Sequence, residues 1–383
     1  MKIIILGLGL MGKAMALDLL ADKKFEISGV DLRIEPLREL REKGLALGIQ
    51  EDLENQEALK KIVESYDLII NAVPGNLGFK VLKTCVEEGR NVVDITFFPE
   101  DPFELEDLAQ KKSLTVLVDC GVAPGLSHLL AAHALTRMDK GDSLEIYVGG
   151  LPVVRTWPLE YKTVFSPSDV IEEYIRPARC KENGLIKIKP ALSEPEMVEV
   201  NGLGTLEAFN TDGLRTLLRT LPFPNMKEKT LRYPGHSQKI LLLKQAGFFD
   251  TQPIIINDQK IIPQEITSKI LFTRLRLQPG EEDITVMRVV AKGEKDGQPI
   301  SFQFDLFDRF DPETGIHSMA RTTGFTATMI VRAMAEGLIK LKGIIPPEYL
   351  GLNDKCFHFI LQGLKDRKIK IKMTSSLDQK TTA

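Results

Sequence analysis

Three groups of residues in this 383-residue chain have types and spacing suited to chemistry. The first is Gly7-Leu8-Gly9-Leu10-Met11-Gly12, a G-x-G-x-x-G run between the apolar strand pattern Lys2–Leu6 and a helical pattern over Gly12–Ala21. Strand, glycine turn and helix N-terminus in that order make a cradle for a pyrophosphate. Gly7 permits the tight turn, Gly9 the close approach of the phosphates, and Gly12 the packing of helix on strand. The first helical amides, at Leu10 and Met11, are oriented towards the anion. Asp31 follows Gly12 by 19 residues, at the end of a second strand pattern, Glu26–Val30. A carboxylate there accepts the adenosine ribose hydroxyls and repels a 2′-phosphate, so the expected cofactor is NAD and not NADP. Arg33 weakens that preference. Asn71-Ala72-Val73-Pro74-Gly75 ends a later strand and sets Ala72, Val73 and Pro74 near the same cofactor. The plain alternatives are a glycine turn that binds nothing and a strand-ending turn.

The second group is Asp94 and Asp119, each at the end of a strand pattern. Carboxylates at strand ends are placed to hold a cationic amine or to assist proton transfer, although each is equally suited to capping its own turn. The third group is a middle segment dense in aromatic, polar and proline residues. It runs through Gly149-Gly150-Leu151-Pro152, Trp157-Pro158-Leu159-Glu160-Tyr161-Lys162-Thr163 and Phe165-Ser166-Pro167 to Thr230-Leu231-Arg232-Tyr233-Pro234-Gly235-His236. Lys162 among aromatics is a candidate base, Arg232 a candidate partner for a substrate carboxylate, and Tyr233 and His236 candidate proton donors. A surface loop with a solvated Lys and Arg fits the same residues. His128 and His133, on an apolar helical pattern, read as core histidines.

The elements that must position these groups follow from periodicity. Over the first 120 residues, short apolar runs alternate with helical patterns of about 10–15 residues, which implies βαβ units and an α/β fold with a doubly wound parallel sheet. After residue 125 the texture changes. Ile284–Lys292 and Ile300–Arg309 alternate apolar and polar residues around Gly293 and Gly297-Gln298-Pro299, the pattern of an antiparallel hairpin in a second, α+β domain. Thr322–Glu336 returns to a long helix, expected to pack back on the first sheet, and the tail from Asp366 is polar with a basic run at Lys365–Lys372.

Composition excludes several classes. The net charge of −3 argues against binding nucleic acid through a general field. The apolar run at the N-terminus is too short to span a membrane and has no leader-like cleavage frame, so a cytoplasmic protein is expected. Four separated cysteines and five histidines without ligand spacing imply reduced thiols and no metal.

Several of these stretches together resemble the saccharopine dehydrogenase superfamily, and its lysine 6-dehydrogenase branch in particular. They are GLGLMG, VVDITF, DCGVAPG, GGLPVVRTWPLEYKTVFSPSDVIEEY, TLRYPGH, MARTTGFTATMIVRAMAEG and GIIPPEYLG. The resemblance implies a discontinuous Rossmann-type domain, residues 1–122 with about 310–383, and an inserted substrate and dimerisation domain over 123–309. It implies NAD-linked oxidation of the lysine ε-amine to 2-aminoadipate 6-semialdehyde, which cyclises, with release of ammonia. Lys162, His236 and Asp119 are then the expected acid/base groups. Asp94 and Asp119 would orient the amines, Arg232 and Tyr233 would hold the carboxylate, and Tyr161 is a further substrate-binding candidate. The partner is a small amino acid, with a homodimer expected at this size. Two alternatives remain: a saccharopine or carboxynorspermidine dehydrogenase acting on a secondary amine, and a non-enzymatic NAD sensor.

Overall fold

The computed structural model describes residues 1–163 and 167–376. The chain opens with β1 (Lys2–Leu6), α1 (Leu10–Leu20), β2 (Glu26–Asp31), α2 (Ile34–Glu42), β3 (Leu47–Gln50) and α3 (Gln56–Val63). It continues with β4 (Leu68–Asn71), α4 (Gly75–Glu87), β5 (Asn91–Asp94), α5 (Glu106–Lys111), β6 (Thr115–Leu117) and α6 (Leu126–Leu135). The middle holds β7 (Lys140–Pro152), α7 (Pro167–Ile175), β8 (Ala178–Glu182), β9 (Leu185–Lys189), β10 (Glu196–Val200) and β11 (Gly204–Asn210). Next come α8 (Leu217–Thr220), β12 (Asn225–Arg232), α9 (His236–Gln245), β13 (Ile254–Ile256), β14 (Gln259–Ile261) and α10 (Pro263–Leu275). The last part is β15 (Asp283–Lys295), β16 (Gln298–Arg309), α11 (Ser318–Ala335), β17 (Gly343–Ile345), α12 (Pro347–Gly351), α13 (Asp354–Asp366) and β18 (Ile371–Ser375).

The chain divides into two compact units, Met1–Arg137 with Met319–Ile371, and Met138–Ser318 with the C-terminal residues from Lys372. The first unit is an α/β fold with a parallel sheet in the order β17-β6-β5-β4-β1-β2-β3. Ile3, Ile4, Ile5 and Leu6 of β1 are fully buried, which is why this central strand is a continuous apolar run. The strand order reverses between β1 and β4, so the crevice at their carboxyl ends is where the fold places a ligand. α11 returns to lie on α1. A Cβ added to Gly324 would stand 3.1 Å from Met15 Cγ. Arg332 reaches Asp18 at 2.6 Å and Asp22 at 2.7 Å, and Arg367 holds the other oxygen of Asp18 at 2.7 Å.

The second unit is built on a mixed sheet, β10-β11-β12-β7-β15-β16-β18, with β8 and β9 attached beside β12. β15 and β16 pair from Ile284–Arg309 to Lys295–Gln298, a longer hairpin than the alternation suggests. α7, α9 and α10 form a second layer, with Val170, Ile171, Tyr174, Ile240, Leu271 and Leu275 in one buried cluster around Phe209. β13 and β14 form a separate two-stranded ribbon.

The expected boundaries shift in three places. The chain leaves the first unit after Arg137 and not at 122, because α6 packs on α12. It returns at 319 and not near 310, because Phe310 donates its N–H to the Asp283 carbonyl and Ser318 its N–H to the Asp283 carboxylate, which keeps this stretch on β15. The polar tail supplies β18, which joins the edge of the second sheet; residues 377–383 lie outside the described residues.

Candidate active site

In the first unit the glycine turn is closed on two sides and open on the third. Gly7 has φ +91°, and its N–H donates to the Val30 carbonyl at 2.9 Å. A Cβ on Gly7 would stand 2.7 Å from the Ala72 oxygen, and one on Gly12 would stand 1.9 Å from the Gly7 oxygen. Around Gly9 there is nothing within 4 Å of such an atom. Gly9 is also the N-cap of α1, whose first turn carries neither a side-chain cap nor an acidic residue. The first amides of a helix lack internal acceptors, so this end offers N–H groups and partial positive charge beside open space. These features fit a dinucleotide pyrophosphate.

Asp31 is turned towards its own chain. One oxygen accepts the Leu8 N–H at 2.9 Å, and the other accepts the Arg33 N–H at 2.9 Å and its Nε–H at 3.2 Å. The carboxylate therefore ties the glycine turn to the end of β2. Arg33 remains more than half exposed. Ala72 donates its N–H to Leu6, Val73 is buried, and exposed Pro74 caps α4.

Asp94 differs from its expected role. It is fully buried, and its oxygens accept from Asn71 Nδ2, Thr96 N and Thr96 Oγ1, all at 2.6 Å. Burial pushes its pKa up to about 7, offset in part by the Thr96 and Asn71 hydrogen bonds. The carboxyl locks the ends of β4 and β5 together and has no surface to offer an amine. Asp119 lies just past β6 with φ +55° and is likewise buried. His128 is buried with Nδ1 3.0 Å from Ser127 Oγ, and His133 stacks on Phe357 with ring centroids 3.5 Å apart.

In the second unit the structure gathers Tyr161, Arg232 and His236 around α7. Arg232, 2% exposed at the end of β12, donates from Nη2 to Glu173 at 2.6 Å and from Nη1 to the Leu231 carbonyl at 2.9 Å. Its guanidinium lies over the Tyr161 ring, 4.2 Å from the centroid. Arg232 is thus a sequestered cation paired with an anion of its own unit, a contact that the substrate-carboxylate reading does not include. Among the described residues, Arg232 Nε and the Tyr161 hydroxyl are buried without a partner.

His236 departs from its expected role too. Nδ1 is 2.9 Å from the Leu159 carbonyl and Nε2 is 2.9 Å from the Tyr174 hydroxyl. A carbonyl only accepts, so the proton is assigned to Nδ1 and the tyrosine donates to Nε2. Burial, then the charge of Arg232, lower its pKa to about 3. The ring is a neutral structural joint. Tyr233 donates its hydroxyl to Pro152 at 2.9 Å, under the Arg155 guanidinium, which is 4.7 Å from the ring centroid. Its hydroxyl is therefore engaged within the unit. Lys162 is mostly buried and pairs with Glu281 at 3.2 Å. Phe165 and Ser166 lie outside the described residues.

Sequence reasoning missed Glu173, Tyr174 and Glu281 as partners, and Glu207, which accepts the Ser237 N–H at 2.9 Å and Oγ–H at 2.8 Å to cap α9. The only signal was the Glu172-Glu173-Tyr174 run, in which spacing alone does not show which glutamate turns inward. Buried Arg215, held at φ +48°, was also missed. Among the described residues no cluster could hold a metal, and no helix is long and apolar enough to cross a membrane.

Parallel sheet, switch point and open glycine turn define the first unit as a nicotinamide cofactor-binding domain of Rossmann type. The chain belongs to the saccharopine dehydrogenase family, whose members among its relatives are oxidoreductases. The family's NADP binding domain matches residues 3–117 and its C-terminal domain matches 121–369. The chain is 22% identical to saccharopine dehydrogenase [NADP(+), L-glutamate-forming] of Pyricularia oryzae, over 92% of this chain and 95% of that protein. It is 25% identical to the mitochondrial alpha-aminoadipic semialdehyde synthase of Mus musculus, over 90% of this chain but 45% of that protein, so it spans less than half the length of that relative. Apo saccharopine dehydrogenase (L-Glu forming) of Saccharomyces cerevisiae shares the fold, with a TM-score of 0.80 and 19% identity over 98% and 99% of the two chains.

Proposed function

We propose that this protein is a nicotinamide-linked dehydrogenase acting on the CH–NH bond of a saccharopine-type secondary amine derived from lysine. The observation that carries this reading is the near full-length match to a fungal relative whose name gives that substrate and glutamate as a product. A bound nicotinamide dinucleotide supplies the hydride acceptor. As hydride leaves the carbon, the nitrogen lone pair forms C=N. Water then adds to that carbon, and the C–N bond breaks to give an aldehyde and a free amino acid. Each step needs a neutral amine or a proton relay near neutral pH. Lys162 with Glu281 is the pair proposed for that work, since His236 and Arg232 are engaged elsewhere. The cofactor is proposed to be NAD, on the strength of Asp31 and against the NADP in the relative's name; the Asp31–Arg33 pair leaves a guanidinium that would meet a 2′-phosphate if the carboxylate were removed.

A second reading, direct oxidation of the lysine ε-amine with loss of ammonia, is favoured by one observation. Arg155, Arg179 and Arg232 already pair with Glu160, Asp212 and Glu173, so the guanidiniums a second acidic arm would call for are neutralised within the unit. Purified protein assayed with saccharopine and with L-lysine, each with NAD and NADP, separates the readings through the absorbance of the reduced cofactor. Turnover of saccharopine supports the first and of lysine alone the second. No turnover of either amine refutes both. Asp31→Ser is expected to lower the NAD:NADP ratio of kcat/KM at least tenfold, and an unchanged ratio would refute the cofactor assignment.

A further inference from the structure

We infer that His317, oriented by the buried carboxylate of Asp283, is a second acid/base group of the proposed reaction, beside the Lys162–Glu281 pair, and that it serves the hydrolysis of the imine. The role rests on the amine oxidation proposed above, in either of its forms. The residues that carry it lie at one end of the second sheet. β7, β12 and β16 all finish there, and β15 begins there, with Asp283 opposite Pro152 and Ile284 opposite Arg309. Glu281, the partner of Lys162, stands two residues before Asp283, and Tyr233 donates to Pro152.

Asp283 is fully buried. Its Oδ1 accepts the Ser318 N–H at 2.7 Å, which fixes the carboxylate, and lies 3.1 Å from His317 Nδ1. A carboxylate only accepts, so the neutral ring carries its proton on Nδ1 and keeps a lone pair at Nε2. Among the described residues Nε2 has no hydrogen-bond partner, and the side chain is 20% exposed. The ring leans on Phe310, with centroids 5.2 Å apart. The loop between them is closed by the Asp311 N–H on the Ile316 carbonyl at 3.0 Å and the Gly315 N–H on the Asp311 carbonyl at 2.8 Å. The charges that face this corner are carboxylates: Asp283 from β15, and from β16 Asp308, which accepts the Ser318 hydroxyl at 2.9 Å. Both favour an imidazolium as it forms. The other four histidines lack this arrangement. His128, His133 and His236 are buried, and His358 lies beside an Asp354 as exposed as itself.

An imidazole suits a proton that must be taken and returned near neutral pH. Oxidation of the neutral amine leaves an iminium. Water adds its oxygen to that carbon and passes one proton to Nε2. The imidazolium hands this proton to the nitrogen, and Nε2 takes the remaining hydroxyl proton as the C–N bond breaks. The products are an aldehyde and an amine, with one proton left for solvent.

The test is kcat and KM of the full chain with saccharopine or L-lysine, whichever it oxidises, with imidazole added to the buffer or omitted. His317→Ala is expected to lower kcat by about 100-fold or more, and added imidazole to restore it by about tenfold or more. Asp283→Asn keeps an acceptor for the Ser318 N–H; it is expected to lower kcat by about tenfold or more with KM unchanged and no rescue by imidazole. His358→Ala is the control and keeps wild-type kcat. A folded His317→Ala protein with wild-type kcat, or with a loss that imidazole leaves untouched, overturns the inference while the amine oxidation stands. A wild type that oxidises neither amine removes the oxidation, and this role with it. Rescue of His317→Ala decides the role even where Asp283→Asn fails to fold.

Discussion

The pair Glu173–Arg232 decides whether the second unit uses its arginine for substrate or for itself. Glu173→Gln keeps the shape of the side chain and removes the charge 2.6 Å from a cation that is 2% exposed. Breaking a buried pair by neutralising one partner costs about 3–5 kcal/mol, because the remaining ion has no solvent to return to. The Tyr161 face, 4.2 Å from the guanidinium, recovers at most about 2 kcal/mol when desolvated, and it already does so in the wild type. The Leu231 carbonyl and the new amide oxygen still accept, so the expected net loss is near 3 kcal/mol. For a unit of this size that lowers its Tm by roughly 6–12 °C. Arg232→Met should cost less, about 1–2 kcal/mol, because burial already raises the Glu173 pKa and the abandoned carboxyl can take a proton. Thermal unfolding of both variants and of the double variant at pH 7, read as a cycle, gives the coupling directly. A loss below about 1 kcal/mol in Glu173→Gln, or Arg232→Met costing more than Glu173→Gln, would refute the reasoning. A large rise in KM with unchanged Tm in Arg232→Met would return Arg232 to the substrate carboxylate.

Three further predictions concern other parts of the molecule. Gly12→Ala drives a methyl group to 1.9 Å from the Gly7 oxygen; it should weaken dinucleotide binding by about 100-fold or more in calorimetric titration, since α1 and the turn must separate, while Gly9→Ala, which meets no protein atom, should lose affinity only through contact with the cofactor. The Asp94 pKa is about 7 when folded, against about 3.9 for an unperturbed Asp, so the folded state holds the extra proton between these values and stability falls as pH rises from about 4 to 7. Asp94→Asn should remove that slope, on the order of 4 kcal/mol in full, from urea unfolding of the first unit across this range; an unchanged slope would refute the assignment. Arg332→Met leaves Asp18 with Arg367 and Asp22 partly exposed to water, and should cost about 1–2 kcal/mol in denaturant unfolding; a loss below about 0.5 kcal/mol would show the clamp to be unnecessary.

What the sequence made legible follows from the range of the interactions concerned. β1, β2, α4 and the β15–β16 hairpin carry a short period in adjacent residues, and burial on both faces or one face is written into each. The glycine turn is legible for the same reason: Gly7, Gly9 and Gly12 meet one another within a single turn. β17 is hidden because three residues hold no period, and β3 because its pattern is exposed at the sheet edge. The second unit's polar residues were identified by type, but not their partners within the fold. Arg232 meets Glu173 across 59 residues, and His236 meets Leu159 across 77, so no local pattern shows whether a charge is already spent within the fold.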